Sequence, residues 1–208
     1  MSARRRRILV KTVVWAVCLV PAALLVVDGL TGRLGANPIE ELTHRTGWWA
    51  LVLLTTTLAV SPLRRVTRRN DLVRYRRLVG LFAFFYATLH FLTYLVVDQF
   101  FALTYIVEDI IDRPFITVGF AAWVILVVLA ATSTQRSIRR LGRRWQRLHR
   151  LGYVAAVLGG LHYLWKVKAD TREPLIFLGI IAVLLLARPV LKARGRAPGG
   201  TTRKAPDQ

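Results

Sequence analysis

A chain of 208 residues that is 54% hydrophobic and yet carries a formal net charge of +20 combines two properties that a soluble domain seldom holds together. A basic nucleic-acid-binding domain would spread its charges over a polar surface, whereas here they sit in short clusters between long apolar runs. That layout excludes a soluble basic domain and suits a bilayer, in which a spanning helix takes about 20 mostly apolar residues.

Six such runs follow in chain order: Ile8 to Val27, Gly47 to Leu63, Leu78 to Val97, Phe115 to Ser133, Leu151 to Val167 and Leu175 to Leu191. None alternates in polarity at every second residue, so a closed barrel is excluded. Helices are then the only way to satisfy every backbone group in lipid. The first run follows Arg4–Arg7 in the manner of a signal segment, but no small-residue cleavage site follows it cleanly, and it is expected to be a retained helix. The basic clusters set the orientation. They fall at the N-terminus, after the second run (Arg64 to Arg77), after the fourth (Arg136 to Arg150) and after the sixth, so both termini are expected on the cytoplasmic side. The expected architecture is an all-α six-transmembrane-helix bundle over 8–191, with a basic N-terminus over 1–7 and a basic tail over 192–208. The composition of that tail from Gly195 onward predicts disorder. No internal repeat is evident. The Gly159-Gly160 pair lies inside an apolar run and not at a strand-to-helix turn, so it is no phosphate-binding fingerprint.

Ionisable residues inside a spanning helix are costly and therefore candidates for function. His90 and His162 lie in the third and fifth runs, each about three residues past the midplane, or roughly 4 Å beyond it at 1.5 Å per residue. Two histidines at one depth on different helices can reach opposite faces of one haem iron. The only methionine is Met1 and the only cysteine, Cys18, is on another helix, which leaves bis-histidine as the one symmetrical ligation. The glycine pair beside His162 is expected to clear space for a flat macrocycle. Helix position alone serves equally well a packing role in which each histidine bonds a neighbouring helix. His149 stands at the start of the fifth helix between Arg147 and Arg150, as an interfacial histidine would, and His44 lies in a polar loop. A regular helix would turn His149 and His162 to different faces, so either Gly152 and the glycine pair distort the helix or His149 precedes it. The third helix offers Arg76 and Arg77, and no histidine, where a second inner ligand would stand. On the outer side Asp98, Glu108, Asp109 and Asp112 face only Arg113 and form a candidate docking surface for a partner.

The strings NPIEELTHRTGWWAL, LAVSPLRR, RRLVGLFAFFYATLHFLTY, RPFITVGFAAWVILVVLAATST and LGRRWQRLHRLGYVAAVLGGLHYLWKVK resemble the MsrQ family, also called YedZ, over roughly residues 35–177. The resemblance implies a haem b-binding subunit of the bacterial inner membrane, similar in fold to ferric-reductase membrane domains, with one or two haems and FMN. It implies a periplasmic molybdopterin partner that reduces protein-bound methionine sulfoxide, fed with electrons from the quinone pool or a cytoplasmic flavin reductase. The chain would then be a non-catalytic electron-transfer subunit in the repair of oxidised periplasmic proteins. Carried over by motif, the histidines of ATLHFLTY, WQRLHRLGY and LHYLWKVK are His90, His149 and His162, the expected haem-iron ligands. No stretch identifies the FMN site. A polytopic transporter or proton relay is the alternative, but it would want acidic groups at mid-helix, and nearly all acids lie in loops or at helix ends.

Overall fold

The computed structural model describes residues 2–194, and the tail expected to be disordered lies outside them. The described residues form helices joined by short connections, with no strand among them: α1 Ala3–Leu30, α2 Pro38–Thr67, α3 Val73–Leu92, α4 Leu103–Asp112, α5 Pro114–Ala131, α6 Gln135–Leu141, α7 Arg143–Leu148, α8 Leu151–Lys166 and α9 Arg172–Arg194. The starts of these helices carry recognisable chemistry. Asn37 caps α2 through a bond from the Glu40 amide to its side chain (3.2 Å), with Pro38 in the first turn and Glu40 and Glu41 against the helix dipole. Pro114 opens α5, where its missing N–H has no partner to lose.

Each of the six apolar runs coincides with one of α1, α2, α3, α5, α8 and α9, while α4, α6 and α7 are short helices in the connections. Among the described residues five helices are long and apolar enough to cross a membrane: Arg4–Leu30, Pro38–Thr67, Asn70–Asp98, Pro114–Ala131 and Arg172–Leu191. The remaining one, α8, has 16 residues, about 24 Å of rise against a hydrocarbon core of about 30 Å. It nonetheless runs antiparallel along the whole of α5. Gly152 meets Leu129 near one end, and His162 meets Phe115 at the other. The third span continues past α3 as a π-helical turn over Thr93–Asp98, directly after His90.

The core is built by α2 packed on α3, α8 and α9, and by α5 packed on α8. Ala83, Ala155 and Ala156 are fully buried there, since small side chains let helix backbones approach closely. Three prolines lie inside helices, Pro21, Pro62 and Pro189, and at the first two a side chain from another helix repairs the broken backbone ladder. At Pro21 the Tyr86 hydroxyl enters α1, accepting from the Ala22 amide (2.9 Å) and donating to the Cys18 carbonyl (2.8 Å). Pro62 leaves the Leu58 carbonyl without its usual i+4 donor, and Arg188 Nη2 of α9 supplies one at 2.8 Å. α1 lies at the periphery, held by Tyr86, by an edge-on contact of Trp15 with Phe82 and by an Arg45–Asp28 ion pair.

Candidate functional site

The folded chain brings His90 and His162 together. Their rings face each other between α3 and α8 with centroids 5.9 Å apart and planes at 79°. Each ring is held by the backbone of a neighbouring helix. His90 Nδ1 lies 2.8 Å from the Thr43 carbonyl of α2, and His162 Nδ1 lies 2.7 Å from the Phe115 carbonyl of α5. A carbonyl can only accept, so each Nδ1 carries the hydrogen and donates it. Each Nε2 is then left with its lone pair, as in a metal-ligating histidine whose other nitrogen bonds a backbone carbonyl. The packing role and the ligand role therefore do not compete, because they use different nitrogens.

Both rings are half-buried, and aromatic side chains wall the neighbourhood. Phe91 stacks on Trp123 at 4.2 Å, Phe120 lies beside both, and Trp123 Nε1 donates to Thr88 at 3.2 Å. On the flank away from the arginine-rich end, the Tyr163 hydroxyl donates to Glu173 (2.7 Å) and lies 3.2 Å from His44 Nε2. His44, read from sequence as a loop residue, stands in the first turns of α2, exposed.

The two half-sites repeat. Thr43, Gly47 and His90 correspond to Phe115, Gly119 and His162 at a constant offset of 72 residues, and each histidine reaches a carbonyl 47 residues upstream. These three positions thus repeat between the pair α2–α3 and the pair α5–α8, a correspondence not evident in the sequence. The Gly159-Gly160 expectation needs correction. A Cβ at Gly160 would come within 2.6 Å of Leu178 Cδ2, and one at Gly159 within 3.5 Å of Leu51 Cδ1. These glycines bring α8 against α9 and α2, and they do not line the histidine pair. The glycines that touch the imidazoles are Gly47 and Gly119, which sequence reading passed over. A repeated spacing of 43 residues from glycine to histidine was the available signal.

His149 lies apart, at the arginine-rich end. It caps α7 and precedes α8, which resolves the helical-angle difficulty, because no regular helix joins it to His162. Trp145 stacks on its ring at 3.9 Å, and its Nε2 lies 3.2 Å from the Thr132 hydroxyl. Burial, and then the Arg76 guanidinium, push its pKa below the ordinary histidine value, so the ring is neutral at pH 7. The 72-residue offset carries His149 back to Arg77, and no second histidine meets it. Among the described residues no group of three His, Cys, Asp or Glu side chains is placed to share an ion.

On the connection between α3 and α5, Asp109 pairs with Arg113 (3.1 Å) and accepts from Tyr94 (3.0 Å). Asp98, Glu108 and Asp112 stay exposed.

Comparison with known proteins matches residues 46–160 to the family described as ferric reductase like transmembrane component, a stretch that holds Gly47, His90, Gly119 and His149. A protein-methionine-sulfoxide reductase heme-binding subunit MsrQ from Ralstonia nicotianae is 54% identical, over 91% of this chain and 89% of its own length. Proteins of the same description from Herminiimonas arsenicoxydans and Xanthomonas oryzae pv. oryzae are 52% and 48% identical, over 86% and 94% of this chain. With its apolar helices and this similarity along nearly all its length, the chain is a multi-pass membrane protein that belongs to the MsrQ family of the ferric-reductase-like membrane proteins.

Proposed function

We propose that this chain is the haem b-binding electron-transfer subunit of a bacterial inner-membrane system that reduces protein-bound methionine sulfoxide. The observation that carries the reading is the histidine pair. His90 and His162, whose ring centroids stand 5.9 Å apart, would hold the haem iron between them through their Nε2 atoms. Two histidines are too few to hold a bare ion of tetrahedral or octahedral preference. They suit a group that brings its own equatorial ligands, as a porphyrin does. Haem iron, when bound, supplies a one-electron couple. The chain's own residues hold each imidazole by Nδ1, leave Nε2 for a ligand bond and set the Phe115 ring beside His162.

The relatives' description as a heme-binding subunit of protein-methionine-sulfoxide reductase supports a separate catalytic partner, read here as a periplasmic molybdopterin enzyme. Reducing one sulfoxide to its thioether takes two electrons and two protons and releases water, so the membrane subunit delivers electrons singly and twice. With six spans and both termini cytoplasmic, the His90–His162 pair lies toward the periplasm and His149 toward the cytoplasm. The course of α8 along the full length of α5 supports counting it as a sixth span. Electrons enter at the His149 end from quinol or a flavin reductase, and His149 serves a second, inner redox group there. That end also carries Arg65, Arg76 and Arg188. Among the described residues none of the three is ion-paired, and the Arg188 Nε is buried without a partner. Such a set suits the phosphate of FMN.

A visible spectrum of the purified protein tests the reading. A dithionite-reducible b-type Soret band is expected, and a colourless protein from haem-replete membranes would refute it.

A further inference from the structure

Thr43 and Phe115, whose carbonyls hold the two histidines, each stand one helical turn before a glycine. In an α-helix the N–H of residue i+4 bonds the carbonyl of residue i. The Thr43 acceptor therefore lies beside Gly47, and that of Phe115 beside Gly119. An imidazole reaching either carbonyl must lie across the glycine. A methyl group at 47 would stand 2.9 Å from His90 Nδ1 and 3.0 Å from its Cε1. At 119 it would stand 2.6 Å from His162 Nδ1 and 2.8 Å from Cε1. Carbon atoms essentially never approach ring atoms so closely, and a ring fixed at one end by its own helix has no flexible tip to move aside. Neither glycine has positive φ, so backbone conformation does not call for glycine at either place. Room for a ring does.

We infer that Gly47 and Gly119 are positioning residues that open the path for each Nδ1–H to its carbonyl, and so fix the tautomer and plane in which His90 and His162 present Nε2. The inference rests on the reading of these histidines as haem ligands. Its chemical content is that of an outer-shell partner: the carbonyl bond raises the basicity of the ligating nitrogen and sets the ring's rotation about the iron–nitrogen axis. An alanine at either position forces the ring off the carbonyl. The imidazole would then offer haem iron a weaker, rotated nitrogen, or none. Because the predicted contact is shorter at 119 than at 47, Gly119→Ala is the more severe change.

The test uses the full chain purified with haem, carrying Gly47→Ala or Gly119→Ala, with Gly160→Ala as the control. At Gly160 the added methyl also meets an atom at 2.6 Å, but that atom belongs to Leu178 and not to a histidine. Electron paramagnetic resonance of the oxidised protein, the midpoint potential and haem affinity are the readouts. The expected result is a graded loss or shift of the bis-imidazole low-spin signal, larger in Gly119→Ala than in Gly47→Ala. Haem affinity should fall about tenfold or more, as for outer-shell partners of metal-bound histidines generally. Gly160→Ala should lower thermal stability and leave signal and potential unchanged. Native signals and potentials in both test variants would overturn the proposal. So would failure of both to fold in haem-free form, since the glycines would then be packing positions. His90→Ala and His162→Ala, measured alongside, keep the two claims separable: full haem content in them refutes the underlying ligand reading, whereas haem loss in them with native glycine variants refutes the positioning role alone.

Discussion

Replacing Tyr86 by phenylalanine isolates one bridge that the fold depends on. The ring keeps its place, edge-on to Phe85 at 5.2 Å and near Trp49, while the hydroxyl that closes the gap in α1 at Pro21 is lost. The Ala22 amide and the Cys18 carbonyl are then left facing each other across that gap. A net hydrogen bond contributes about 1 kcal/mol, and interhelical bonds in membranes average nearer 0.6 kcal/mol, so two of them amount to roughly 1–2 kcal/mol. For a chain of this size that lowers Tm by roughly 3–6 °C. Thermal unfolding in detergent measures the shift, and hydrogen exchange should accelerate at Ala22 while the amides of α2 and α8 stay protected. Haem content should not change, because His90 is held by Thr43 of α2 and not by α1. Pro21→Ala closes the cycle, since a straight α1 lets Ala22 bond Cys18 directly and Tyr86→Phe should then cost little. An equal cost in both backgrounds, or none in the native one, would refute the bridge.

Arg188→Met should cost about 1–2 kcal/mol in the same unfolding assay, because Pro62 leaves the Leu58 carbonyl with no other donor; Pro62→Ala should restore most of it. His149→Ala should keep the haem held by His90 and His162 and lose reduction from a cytoplasmic flavin donor, followed by stopped-flow spectroscopy. Neutralising Asp98, Glu108 and Asp112 together, and sparing Asp109 because it already pairs with Arg113 and Tyr94, should slow electron delivery to the partner most at low salt. Rates that do not differ from the native ones across a salt series would remove the acidic surface from the account.

Much of this was legible in the residues because bilayers impose simple rules. Apolar run length located six helices, and a constant rise per residue put His90 and His162 at one level before any packing was known. Rotation about the helix axis was not legible. Whether Gly159 and Gly160 or Gly47 and Gly119 face the imidazoles depends on which helices pack together, and adjacency in sequence to His162 pointed to the wrong pair. The repeat was hidden for a related reason: beyond its glycine and histidine, a Thr43 carbonyl and a Phe115 carbonyl do the same work, and a backbone acceptor leaves no trace in residue identity. The bridges at Pro21 and Pro62 were equally silent, since a proline announces a lost donor without naming its substitute.

The central claim is that His90 and His162 together ligate one haem, and haem stoichiometry combined with electron paramagnetic resonance tests it most directly. In the native protein the account predicts a low-spin signal from two nearly perpendicular imidazoles, matching ring planes that stand at 79°. Either His90→Ala or His162→Ala should abolish that signal and remove its haem, while His149→Ala leaves it in place. Retention of the same signal and haem content in both single variants would contradict the account.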